Sequence, residues 1–399
     1  MADKIDPHKT KERYMKWKSN VLTNGIQGLN EANSKIILQY IQDMEQGINV
    51  ASTNKRGARS SARLNSVSTR LVTVAKGLWE RNKINLLETE ESHLFAFFSD
   101  MRNGTIRKIN GSLYKSIADY VKDVKAFWHW HMKVNRKRGI EIKDITLDLD
   151  TSKEKPDWVY LTEDQIKQLC SHADYKYEVL IWFLFDTGIR SPTELVNVKI
   201  SDFFNDFKEL NIREEISKTF GRRIKLMLCS NLIKDYIKQL NLKTEDYLFS
   251  LEQSVANRYL KNLAKRVLGE GISPAGQKYS ELTMYDFRHN SCCYWLPRYK
   301  SESALKYRFG WKKSEKIHYY SELLGMRDTI TQDDMLVDVT KTEIEQRLTK
   351  SEREKMLMKD EMIDMRNQIL TMGNLTKQIY LVLSEEQKAK LSIQVKQNY

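Results

Sequence analysis

The 399-residue chain has little of what staples or interrupts a fold: 4 cysteines, 5 prolines and 16 glycines. So few cysteines exclude a disulfide framework and point to a reducing compartment. So little proline and glycine excludes a fibrous chain. No apolar run approaches the roughly 20 residues that cross a bilayer; the best, Val179 to Phe185, is far shorter. The opening MADKIDPHKTKER has no apolar stretch of the signal-peptide kind. No group of His, Cys, Asp or Glu has metal-ligand spacing. The nearest pairs are His129 with His131 and Cys292 with Cys293. The cysteines are expected in a helix core, and the histidines on a surface helix beside Trp128 and Trp130. The expectation is a cytoplasmic protein without membrane span, metal, cofactor or small-molecule substrate.

What the chain does have is positive charge. Lys plus Arg number 66 against 53 Asp plus Glu, a formal charge of +13. With 41% hydrophobic residues, the length suffices for two or three buried cores. Excess positive charge makes nucleic acid the first partner to consider. Residues 1–150 hold 26 basic and 17 acidic side chains, a balance of +9; residues 338–399 hold 11 and 10, a balance of +1.

Apolar spacing predicts helices over Ala32–Glu45, Asn65–Lys83, Glu88–Met101 and Ser112–Val134. The polar stretch Thr146–Trp158 reads as a boundary. Two basic clusters stand out before it. Lys55, Arg56, Arg59 and Arg63 fall in a Gly/Ser-rich linker, and Arg136, Lys137 and Arg138 close the last helix. Loops and helix ends of this kind suit contact with phosphates. From Ile344 a heptad register can be written. One seam is Ile344, Ser351, Met358, Met365 and Met372; the other is Leu348, Lys355, Met362 and Ile369. An apolar seam in a near-neutral segment points to protein contact, as a coiled coil or as an amphipathic helix packed on its own chain or a neighbour.

Between these regions lies the chemistry. In DTGIRSPTELVNV, Ser191, Pro192 and Glu194 read as N-cap, N1 and N3 of a helix. That sets Arg190 at a helix start, a position suited to an anion. Ile212, Ile216, Ile224, Leu226 and Leu228 read as strands around a turn at Gly221, with Lys218 near the tip. Thr283 and Asp286 read as N-cap and N3 of the next helix. Tyr285 and Arg288, three apart, share a face of it. Phe309-Gly310-Trp311 ends a helix, and Ser314–Leu324 is helical with Tyr319 and Tyr320 in tandem.

From about residue 10 to 330 this order resembles the tyrosine recombinase (phage integrase) family. TGIRSPTELVNVKISDF resembles the box of the family's first arginine, placing it at Arg190. SKTFGRRIKLML resembles its lysine hairpin, at Lys218. LTMYDFRHNS resembles the T-x-H-x-L-R-H box, with the second arginine at Arg288 and His289 after it. FGWKKSEKIHYYSELLG resembles the His/Trp box and nucleophile, at Trp311 and Tyr320. The ending YSELLG is similar to that of archaeal members and favours Tyr320 over Tyr319.

The resemblance implies a mainly α fold with a small β-sheet. It also implies a helical core-binding domain (1–150) and a catalytic domain (151–337); the tail has no counterpart in the resemblance, and its heptad register makes 338–399 a helical or coiled-coil C-terminal extension. Further implications are site-specific cutting and rejoining of double-stranded DNA through a 3′-phosphotyrosine, without metal or ATP, and a tetramer on DNA in the nucleoid. Tyr285 stands where the family has histidine. A phenol donates a hydrogen bond but is a poor base near neutral pH. Either His289 or a water then accepts the nucleophile's proton. An inactive DNA-binding relative and a type IB topoisomerase-like relaxing activity are the alternative readings.

Overall fold

A computed structural model describes residues 4–50, 57–152, 157–299, 301–324 and 343–382. The chain divides into two units, residues 1–325 and 326–399. Lys55, Arg56 and the expected boundary near residue 337 lie outside the described residues.

The first unit begins with five helices: α1 (Thr10–Asn24), α2 (Glu31–Gln46), α3 (Ser61–Asn82), α4 (Glu91–Arg102) and α5 (Ile117–Arg136). α3 packs on the other four. Their apolar faces meet in one core that includes Ile37, Ile41, Leu71, Val74, Phe97 and Phe127. Sequence periodicity misses α1, whose apolar stripe is reduced to Tyr14 and Val21. α5 starts later than expected because residues 108–112 close a turn, with Lys108 N–H donating to the Ser112 carbonyl. Trp128 and Trp130 are buried rather than on a surface helix. Their indoles donate to the Lys143 carbonyl (2.9 Å) and to Asp43 (2.7 Å). His129 pairs with Asp144 at 2.9 Å.

A second core is built from residues 159–287 and shares no side chain with the first. At its centre is α7 (Tyr175–Thr187), apolar on all sides because α6 (Glu163–Ser171), α8 (Ser230–Gln239) and α10 (Asp286–Trp295) surround it. A three-stranded antiparallel sheet, β1 (Phe203–Phe204), β2 (Glu209–Ile212) and β3 (Arg222–Lys225), lies beside it in the order β1-β2-β3. Leu210 pairs with Ile224 and Ile212 with Arg222. α9 (Gln253–Leu268), α11 (Glu302–Phe309) and α12 (Glu315–Leu323) complete the unit. The protein is thus mainly helical with one small sheet.

The hairpin is shorter than the alternation suggests. β2 stops at Ile212, because Ser217 N–H turns back to the Arg213 and Glu214 carbonyls. β3 stops at Lys225, because the N–H groups of Met227, Leu228 and Cys229 all donate to the Asp186 carboxylate. The helix expected from Ser191 is a single turn followed by a 3₁₀ segment, Leu195–Asn197. The Ser191–Pro192 peptide is cis. The chain then leaves the helical path to pair backbone to backbone, Leu248 N–H with the Val198 carbonyl and Ile200 N–H with that of Asp246.

The second unit is described as one helix, α13 (Glu343–Val382). No helix of the described residues is long and apolar enough to cross a membrane. All four cysteines are buried thiols, Cys292 and Cys293 in α10 as expected.

Candidate active site

The two arginines are brought together from separate elements. Arg190 follows the C-cap of α7. Its guanidinium donates to Glu194 (2.5 Å), to the Gly310 carbonyl (2.8 Å) and to Thr219 (3.4 Å). Arg288, in the first turn of α10, is buried and donates to the carbonyls of Gly188 and Phe309. These carbonyls are presented by two glycine turns. Gly188 and Gly310 end α7 and α11 in the left-handed conformation (φ 57° and 60°). A Cβ at Gly188 would lie 2.3 Å from the Phe309 ring, and one at Gly310 would lie 2.9 Å from the Arg222 guanidinium.

Sequence reasoning missed the counter-charge. Glu194, given only a capping role, is fully buried and bridges Arg190 and Arg222, with 2.8 Å to the latter. Arg222 is also buried and donates through Nε to the Arg308 carbonyl at 2.8 Å. Burial alone would raise the Glu194 carboxyl. Hydrogen bonding and charge from Arg222, with Arg190 beside it, outweigh that and hold it at about 2. One carboxylate thus faces three guanidiniums. Burial, then repulsion from Arg190 and Arg222, pushes Arg288 down to about 10, where it is still a cation at neutral pH. A second buried pair, Arg308 with Asp186 (2.8 Å), stands behind the site.

Tyr320 projects from α12 and is only 2% exposed. Its ring lies parallel to Trp311, centroids 6.0 Å apart. Trp311 in turn stacks on Phe309 at 4.9 Å, with the Arg288 guanidinium 5.9 Å from its own ring. The Tyr320 hydroxyl hydrogen-bonds to Nδ1 of His289. Burial pushes its phenol well above the ordinary range, with Cys292 and Cys293 adding to the effect. Tyr319 is used differently: its hydroxyl accepts the Trp158 indole N–H at 2.8 Å. Trp158 also lies 4.9 Å from His289, so it holds both the imidazole and the tyrosine pair. Tyr285 is 49% exposed, its ring edge-on to His289 at 5.2 Å. Thr283 N–H and Oγ1 both donate to the Asp286 carboxylate, but the helix begins at Asp286 with Tyr285 as its N-cap, so Thr283 and Asp286 are not the N-cap and N3 that the sequence suggests.

Lys218 is exposed on the loop after β2. Its neighbour Thr219 is tied to the site, donating to the Gly310 carbonyl at 2.8 Å. Arg190, Tyr285, Arg288, His289, Trp311 and Tyr320 therefore form one contiguous cluster, with Lys218 on a loop anchored to its edge.

The basic residues of the first helices divide. Arg63 lies in α3, not in a linker, and its guanidinium is committed to the buried Asp123. Arg136 and Arg138 are exposed at the end of α5, and Lys137 there donates to Asn49 at 2.5 Å. Arg59 is half-buried. Among the described residues no group of three or more His, Cys, Asp or Glu side chains could hold a metal.

A mainly helical fold with two arginines converging beside a tyrosine on a late helix is the architecture of the tyrosine recombinases. Residues 159–325 match the family model described as the phage integrase family. Three solved structures share the fold. A lambda integrase dimer bound to a COC′ core site is 14% identical, with 83% of each chain covered and a TM-score of 0.51. The Tn1549 transposon integrase with circular intermediate DNA is 15% identical, covering 75% of this chain and 96% of that one, TM-score 0.51. The XerH recombinase bound to palindromic difH substrate is 13% identical, covering 81% and 94%, TM-score 0.51. No curated protein matches the chain in sequence.

Proposed function

We propose that this protein is a site-specific DNA recombinase that cuts and rejoins strands through a 3′-phosphotyrosine. The observation that carries it is the convergence of Arg190 and Arg288, in slight cationic excess over Glu194, beside Tyr320 and its hydrogen-bonded imidazole. Cleavage of a phosphodiester by a hydroxyl builds charge on the non-bridging oxygens, and fixed guanidinium forks stabilise it. The Trp311 indole N–H would add a donor.

In the step we envisage, Tyr320 Oη attacks the phosphorus as its proton passes to His289 Nδ1. The bond to the 5′-oxygen breaks, and the Lys218 ammonium supplies that oxygen's proton. The products are a 3′-phosphotyrosine and a 5′-hydroxyl. Rejoining reverses the step, and because the ester bond energy is retained, no nucleotide is consumed. Arginines and lysine supply the charge for which other enzymes use metal ions. The DNA-bound relatives support double-stranded DNA as substrate. Arg59, Arg136, Lys137 and Arg138, with Lys55 and Arg56, are proposed as backbone contacts of residues 1–150, and a tetramer as the recombining assembly.

The test is trapping. The protein is incubated with a library of nicked duplexes and denatured, and covalent adducts are recovered and sequenced. Adduct formation that is lost in Tyr320→Phe and kept in Tyr319→Phe is expected. An adduct retained by Tyr320→Phe overturns the assignment. DNA binding without any adduct would favour the inactive-relative reading, for which the exposed Tyr285 speaks.

A further inference from the structure

The second unit presents a face that the proposed DNA chemistry does not use. α13 runs 40 residues, about 60 Å at 1.5 Å per residue. Five residues of its apolar seam, Met358, Met362, Met365, Ile369 and Met372, are 58–68% exposed. A row of large apolar side chains at heptad spacing, left in water, marks an interaction surface. The charges beside the seam identify the partner. With Leu348, Lys355, Met362 and Ile369 at position a, position g holds Arg347, Glu354 and Glu361. Position e holds Glu352, Lys359 and Arg366.

In a parallel pair of helices in register, each g residue meets the e residue five positions later on the partner. Here that matches Arg347 with Glu352, Glu354 with Lys359, and Glu361 with Arg366. All three contacts join opposite charges, and symmetry repeats them on the other side. An antiparallel pair sets g against g, which brings Glu354 against Glu354 or Glu361. Lys355 at a and Ser351 at d weaken the seam. A polar residue at a also fixes register and number of strands, and methionine elsewhere tolerates an imperfect fit.

From this charge match we propose that α13 is a dimerisation arm. It pairs with α13 of a second copy of this chain as a parallel, in-register coiled coil, independently of DNA. The experiment uses the full-length protein without DNA, at low and high salt, with mass measured by light scattering. A dimer is expected. Reversing two g charges (Glu354→Lys with Glu361→Lys), or separately two e charges (Lys359→Glu with Arg366→Glu), makes two of the three g–e contacts on each side repulsive and leaves only Arg347 with Glu352 attractive. The dimer dissociation constant should rise by about tenfold or more in each variant.

Mixing the two variants restores every opposite-charge contact, so a heterodimer should form at wild-type affinity. That recovery separates pairing from misfolding. Met358→Cys, at position d, should cross-link the dimer through a disulfide on oxidation, as only the parallel register allows. A monomeric full-length protein overturns the proposal, as does a dimer that both charge variants retain, a mixture that stays monomeric, or a Met358→Cys dimer that does not cross-link.

Discussion

Glu194→Gln tests the electrostatic design of the site most directly. The substitution keeps the shape and one acceptor, removes the charge, and turns the other oxygen into an NH2 donor facing the guanidiniums. Both partners of the Glu194–Arg222 pair have side chains with no exposure, and Arg190 is only 13% exposed. At a surface such a pair would contribute under about 1 kcal/mol. Buried, the loss of one partner leaves charge uncompensated and costs about 3–5 kcal/mol. The carboxyl's own titration gives a consistent size. Held at about 2 in the fold against its ordinary 4.5, it stabilises the folded state by about 3 kcal/mol. Its folded pKa is depressed, so this contribution is complete above the unfolded value and is lost as pH falls from about 4.5 toward 2. Urea unfolding followed by tryptophan fluorescence should therefore show Glu194→Gln less stable than wild type by about 3–5 kcal/mol at pH 7. The gap should narrow below pH 4.5. A gap under about 1 kcal/mol at pH 7, the size of a surface pair, or one that widens on acidification, would refute the reasoning.

Three other outcomes follow from the same geometry. Gly188→Ala puts a methyl into the Phe309 ring and forces a left-handed residue. Together these should cost about 2–4 kcal/mol in urea unfolding and displace a carbonyl that accepts from Arg288. Lys218→Ala, on an exposed loop, should change stability by less than about 0.5 kcal/mol. It should nevertheless slow single-turnover strand cleavage; equal loss of both would argue for a structural role. Sulfate should stabilise the wild type by occupying the arginine cluster, by about 1 kcal/mol at a concentration several times its dissociation constant. Arg190→Ala should lose that response in a thermal melt.

Some of this was legible in the sequence because local chemistry states it. Pro192, Gly188 and the apolar run of α7 announce a helix end and a turn, and Arg190 follows from them. Helices α2 to α5 show their apolar spacing openly, and the tandem tyrosines sit on the short helix that their surroundings predict. What stayed hidden is non-local. Nothing near Arg222 says that its side chain turns inward to Glu194, 28 residues away. Asp186 reads as a polar helix end, yet it caps three backbone N–H groups after β3 and neutralises Arg308. Alternation alone made the hairpin too long, because those N–H groups and the Ser217 turn take the bonds that a ladder would need. Arg63 looked like a linker cation, whereas buried Asp123, on a different helix, sets its orientation.

The proton of Tyr320 ties the local and non-local parts together. A phenol pushed up by burial is a poor nucleophile unless a base receives its proton in the attack. Tyr285 is half exposed and touches the imidazole ring, while His289 makes the hydrogen bond to Tyr320 itself. In the proposed step the residue after Arg288 would therefore be the base, while the residue three before Arg288 stands one ring further out. A general base contributes about 10²–10⁴-fold, so His289→Ala should slow adduct formation by that factor. Tyr285→Phe, which keeps the ring against the imidazole, should stay within a few-fold of wild type. Adding Tyr285→His to His289→Ala asks whether an imidazole one ring further out can still serve. If Tyr285→Phe is the damaging change and His289→Ala is silent, the base is not His289, and the hydrogen bond to Tyr320 only positions the ring.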